Sequence, residues 1–125
     1  MDATPGESSA RRVSASHRHR TRVDRLRDAW FSTSDRTSWP KPGEWWHPAV
    51  DAMLRAIVRG KDVREPCARL GRARAEAGLS LGQTIDDLGA LYQHLPEASP
   101  PSWLVRILVD AWARPQPSRS RRSRA

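Results

Sequence analysis

Apolar residues recur at helical spacing along most of the chain, beginning in RVDRLRDAWF, where Val23, Leu26 and Trp30 fall at i, i+3 and i+7 on one face. The stretch that follows, STSDRTSWPKPGEWW, gathers the breakers Pro40, Pro42 and Gly43 and is expected to be a connection. It is long for a small domain, and its Trp39, Trp45 and Trp46 are expected to pin it over the core. A second helix is predicted from Pro48, which suits a first helical position, to a stop at Gly60. Between them Val50, Met53, Leu54, Ile57 and Val58 form a full amphipathic stripe.

A third helix is predicted near Pro66, capped by Asp62 or Glu65, with Cys67, Leu70, Ala73 and Ala77 inward and Gly78 at its end. Arg64, Arg69, Arg72 and Arg74 are assigned to its outer, solvated face. SLGQ at residues 80–83 fits a capping box, and the helix it opens carries Leu81, Ile85, Leu88, Leu91, Tyr92 and Leu95 until Pro96. A last helix is expected after SPPSW, with Ser99 as cap and Pro100 or Pro101 in the first turn. Only Arg106 and Asp110 interrupt its apolar surface, which suits the centre of a bundle or a contact with another domain.

No segment alternates with period two, so strands are not expected. The pattern predicts an all-α fold: a small bundle of four to five helices over residues 21–113, between disordered basic tails at 1–20 and 114–125. With 125 residues there is room for one small domain, whose core is marginal at this size. Cys67 is the one cysteine, which excludes an intramolecular disulfide and favours a reducing, cytoplasmic setting. No charged-then-apolar leader is evident, and the apolar run at 103–109 is broken by Arg106, far short of the roughly 20 residues that span a bilayer. No membrane partner is expected.

The formal charge of +8 divides unevenly. Residues 1–22 carry five arginines against two acids, residues 113–125 carry five arginines and no acid, and residues 23–112 balance twelve basic against twelve acidic groups. The excess therefore lies in ends too poor in apolar residues to build a core, where a solvated tail is the default.

Catalytic and metal chemistry find little support. His17 and His19 are close in sequence, but no second cluster of zinc-type spacing accompanies them. Cys67 sits on an inward stripe, and the adjacent Asp86 and Asp87 point apart on a helix, where solubility accounts for them. Phosphate cradles of the Walker or dinucleotide type are absent from the sequence. No catalytic residue, cofactor or metal is expected, and the chain is read as not an enzyme. Arg25 and Asp28, beside Arg22 and Asp24, offer a guanidinium and a carboxylate to a purine, but ion pairs one turn apart explain them as well.

RARAEAGLSLGQTIDDLG resembles the opening helices of repressor-type helix-turn-helix domains. The recognition helix such a motif requires is missing, because ALYQHLPEASPP continues one stripe and breaks, and SWLVRILVDAW is too apolar for a groove.

LRDAWFSTSDRTSWPKPGEWWHPAVDAML, followed by ARLGRARAEAGLSLGQTIDDLGALYQHLPEASPPSWLVRILVDAWA, resembles the helical N-terminal region of actinobacterial GGDEF-like proteins, which are related to diguanylate cyclases. The resemblance spans residues 23–112, including WWHP, RAEAGLSL and DDLGAL. After Trp112 this chain has an Arg/Ser/Pro run instead of a GGDEF signature, so cyclase activity does not carry over. The resemblance implies a non-catalytic regulatory or protein-interaction module, with a partner or a second copy meeting the last helix at Leu104, Ile107, Leu108 and Trp112, and with Trp45 and Trp46 as lesser candidates. The competing expectation is a nucleic-acid binder that uses Arg64, Arg69, Arg72 and Arg74 together with Arg119, Arg121 and Arg122 of the tail.

Overall fold

The computed structural model describes residues 5–114, with side chains from residue 17 onward. Five α-helices follow one another: α1 (Pro5–Thr33), α2 (Pro48–Val58), α3 (Arg64–Glu76), α4 (Leu81–Tyr92) and α5 (Ser102–Ala113). A single 3₁₀ turn, Pro42–Trp45, interrupts the connection between α1 and α2. Among the described residues there is no strand, so the all-α bundle expected from periodicity is what forms.

The helix boundaries follow local chemistry. Helix α1 begins at Pro5, well before the periodic stretch, and so runs through the segment expected as a tail. No glycine or proline occurs between Gly6 and Pro40, and the alanines and arginines there are good helix formers. The tail expected at the other end lies, beyond Arg114, outside the described residues.

Helix α2 is capped by His47, whose ring Nδ1 accepts the Ala49 N–H at 3.0 Å. Gly60 and Gly78 adopt φ of +66° and +84° just after α2 and α3, a conformation open to glycine without steric penalty. Neither Asp62 nor Glu65 is the N-cap of α3: Val63 holds that position without a side-chain cap, and Asp62, one residue earlier, accepts the Arg64 N–H at 3.0 Å. The Ser80–Gln83 capping box forms in both directions.

Two further boundaries, at α4 and α5, differ from expectation. Helix α4 stops at Tyr92 instead of Leu95, because the residue before Pro96 is barred from helical conformation; tight turns then fill residues 93–98. Ser99 does not cap α5, which starts at Ser102 with no side-chain cap. Consecutive prolines at 100 and 101 hold both Ser99 and Pro100 out of the helical region, so the helix waits until both have passed.

Helix α3 is the centre of the bundle. Helix α5 lies along it in the most extensive pairing, α2 also packs on it, α1 packs on α2 and α4, and α4 meets α3 and α5. Trp30, Met53, Leu54, Leu70, Leu88, Leu91, Leu104 and Leu108 are fully buried in one continuous core.

Gly71 sets the α3–α5 distance: a Cβ built there would stand 2.6 Å from the Leu108 carbonyl oxygen and 3.2 Å from Ala111 Cβ. The first obstacle is helical backbone, which cannot swing aside. Gly71→Ala is therefore expected to cost about 1–3 kcal/mol despite alanine's better helix propensity. A urea titration reads this as a lower midpoint, and an unchanged or raised midpoint would show that α5 gives way.

Candidate functional site

The described residues hold one buried polar constellation and a set of open clefts. Arg74 of α3 and Asp87 of α4 meet in the core as an ion pair, Nε to Oδ2 at 2.9 Å, with both side chains about 1% exposed. Asp87 Oδ1 also accepts hydrogen bonds from Ser34 Oγ at 2.9 Å and Trp45 Nε1 at 3.1 Å. The Asp87 backbone carbonyl takes Trp30 Nε1 at 2.7 Å.

Arg74 Nη1 donates to the carbonyls of Trp45 and Glu44, at 3.1 and 3.3 Å. Its Nη2 is buried without a hydrogen-bond partner, and the guanidinium lies 5.0 Å from the Trp39 ring centroid, where the indole face compensates part of its lost hydration. Burial pulls the Arg74 pKa below its ordinary value, and Asp87 opposes that shift.

This constellation corrects two expectations. Arg74 does not belong to a solvated arginine face, and Asp87 is not there for solubility. Together they fasten the connection between α1 and α2, through Ser34, Trp39 and Trp45, to the junction of α3 and α4. Every polar atom of the pair except Arg74 Nη2 is engaged within the fold, and neither residue lines the clefts described below, so the pair holds the connection in place.

The groups with latent nucleophilic chemistry are similarly sealed. Burial pushes the Cys67 thiol up to about 12, and Sγ lies 3.8 Å from the Leu104 carbonyl oxygen. Tyr92 is also raised to about 12, chiefly by burial. Among the described residues no three His, Cys, Asp or Glu side chains gather as metal ligands, and no helix is long and apolar enough to cross a membrane.

The partner residues expected on α5 divide. Leu104 and Leu108 are fully buried against α3, so they are core residues and present no surface. Ile107 and Trp112 are half-buried, and Trp112 Nε1 donates to the Leu79 carbonyl at 3.0 Å. The exposed aromatic on this helix is Trp103, at 50%. The Arg64 guanidinium stands 5.6 Å from its ring centroid.

In the connection Trp45 is fully buried, whereas Trp46 is 52% exposed. The Trp46 ring packs at 4.7 Å and 30° on Phe31 and edge-on to Trp45 at 4.9 Å. The Arg36 guanidinium covers Phe31 in turn, at 3.6 Å from its centroid.

The arginine face of α3 is weaker than expected. Arg74 is inside, Arg72 lies 3.7 Å from Glu65, and Arg64, though exposed like Arg69, lies 3.8 Å from Asp62. Arg119, Arg121 and Arg122 lie outside the described residues. The expected Arg25–Asp28 pair does not form; Arg27 instead bonds Asp24 at 2.6 Å and Asp51 of α2 at 2.7 Å.

A concentration of basic groups does occur, between α1 and α2. A cleft of about 350 Å³ is lined by His19, Arg20, Val23, Asp24, Arg27, Asp51, Arg55 and Arg59. A second, of about 320 Å³, shares Arg27, Asp51 and Arg55 with it and continues past His47 to Trp46. This surface is not among the sites expected from the sequence, although Arg20, Asp24 and Arg27 on one helix, and Asp51, Arg55 and Arg59 on the next, repeat at one- and two-turn spacing beside the apolar stripes. No protein family, curated protein or solved structure matches the chain.

Proposed function

We propose that the chain is a non-catalytic helical interaction module of regulatory type, working in the cytoplasm, which meets a protein partner or a second copy of itself through the outer side of α5. The observation that carries this reading is Trp103, half exposed on a helix whose opposite side is locked into the core through Leu104, Leu108 and Ala111. Ile107, one turn further on, extends the apolar surface, and Arg64 flanks it. Tryptophan and arginine are the side chains that most often dominate binding energy at protein interfaces. The regulatory part rests on the segments that resemble the region before GGDEF-like domains. A binding role also accords with the sealed state of Cys67, Tyr92 and the Arg74–Asp87 pair.

Self-association is tested on the chain alone by sedimentation velocity over a concentration series. The wild-type mass is expected to rise with concentration, and Trp103→Ser to hold the chain as a monomer while changing stability by no more than about 0.5 kcal/mol, as for most surface substitutions. A wild-type protein that stays monomeric throughout removes the self-association form of the proposal. A variant that associates as the wild type does moves the contact away from α5.

A further inference from the structure

The surface between α1 and α2 combines two features that neither helix needs for packing. Arg20 and Arg27 from α1 face Arg55 and Arg59 from α2 across one cleft, four guanidiniums against the two carboxylates of Asp24 and Asp51. Both carboxylates are engaged by Arg27. Arg20, Arg55 and Arg59 make no ion pair among the described residues and are exposed. Arg55 in the last turn of α2 and Arg59 at its C-cap have a local explanation, as cations at a helix C-terminus. That account does not reach Arg20 on the facing helix.

At the far end of the same surface stands Trp46. The two clefts adjoin, with Arg27, Asp51 and Arg55 lining both, which puts the arginines and the indole on neighbouring parts of one surface. Trp46 is already held by contacts with Phe31 and Trp45, yet half its surface is open. A ring fixed in this way loses little further rotational freedom when something stacks on it.

We infer that the α1–α2 surface is a binding site for short single-stranded nucleic acid, with phosphates held by Arg20, Arg55 and Arg59 and a base stacked on Trp46. The pairing of a cationic groove with an aromatic platform is the chemistry that single strands require, since every base offers a π-face and every linkage a phosphate. An acidic peptide without aromatic residues would satisfy the arginines but offers no ring to stack on the indole. A duplex hides its base faces in the stack. This site lies away from α5, so its failure and that of the α5 interface are read separately.

The test uses the full chain, labelled oligothymidylate and fluorescence anisotropy over a salt series. Three phosphate contacts on a single strand contribute roughly 2 to the slope of log affinity against log salt. Replacing Arg20, Arg55 and Arg59 together with alanine is expected to remove that contribution. Replacing Arg119, Arg121 and Arg122 with alanine is expected to preserve it. Trp46→Ala is expected to weaken binding roughly 5- to 150-fold, the range for one lost base stack. Should Trp46→Ala disturb folding by circular dichroism, Trp46→Phe, which keeps a ring on Phe31, is expected to fall between it and the wild type.

Three results would each overturn the inference. The first is a triple-arginine variant that binds with wild-type affinity and slope. The second is duplex DNA bound as tightly as the single strand, and the third is polyglutamate competing as well as unlabelled oligothymidylate.

Discussion

Asp87→Ala is expected to lower the unfolding free energy by roughly 3–5 kcal/mol, the usual loss when one member of a buried ion pair is removed. The substitution leaves the Arg74 guanidinium in the core with no carboxylate, and takes an acceptor from Ser34 and Trp45 as well. Small domains have a net stability of about 5–15 kcal/mol, so the loss removes a large part of the total. Equilibrium urea denaturation followed by circular dichroism provides the measurement. The pair itself is a separate matter from the loss of one half. Replacing both partners, as Arg74→Met with Asp87→Leu, is expected to recover most of the stability, because no charge is then left unpaired in the interior. A single Asp87→Ala variant that loses less than about 1 kcal/mol would show that water reaches the pair.

Trp45→Ala is expected to cost a comparable amount, about 3–5 kcal/mol, by a different route. Trp45 is fully buried and packs edge-on to Trp30 at 5.2 Å and to Phe31 at 5.1 Å. Truncation removes this apolar contact, opens a cavity and leaves Asp87 Oδ1 with one donor fewer. It also frees the connection from the core, since Trp45 and Trp39 are the anchors that this segment buries. Limited proteolysis is therefore expected to cut the Trp45→Ala variant within residues 34–47 under conditions where the wild type resists. Trp45→Phe retains a ring but no donor and is expected to lose less in the urea titration. Equal losses for the two would place the contribution in the Nε1 hydrogen bond instead of the packing.

The helices were legible because amphipathic stripes, capping residues and terminal glycines all agreed, most clearly for α2 and α4. The buried ion pair was not, because residue type outweighed position. Arg74 stands four residues after Leu70 and seven after Cys67, on the stripe that goes inside, and Asp87 stands beside Leu88 and one turn after Thr84 in the same way. Residue type alone points such a charge outward, since charges are almost never buried without a partner, and here the partner lies on another helix.

The connection was legible only in outline. Three tryptophans implied anchoring, but nothing in the order of residues showed that Trp39 and Trp45 go in while Trp46 stays out. The apolar surface of α5 suits either the centre of a bundle or a neighbour outside the domain, and sequence alone does not choose between them. Its Leu104 and Leu108 find α3, where Gly71 lets the two backbones approach. The α1–α2 cleft could not be anticipated from charge totals, because the section that holds most of its residues is neutral as a whole and the cleft gathers its arginines only when two helices meet.

The α3–α5 contact bears on how the protein is made. Synthesis proceeds from the amino end, so Cys67, Leu70 and Gly71 emerge from the ribosome well before the residues that cover them, Leu104, Leu108 and Ala111. Until those last turns are complete, the nascent chain carries an uncovered apolar seam along its central helix. The growing polypeptide therefore passes through a period in which it is a natural client for chaperones, and that period closes only when α5 is released.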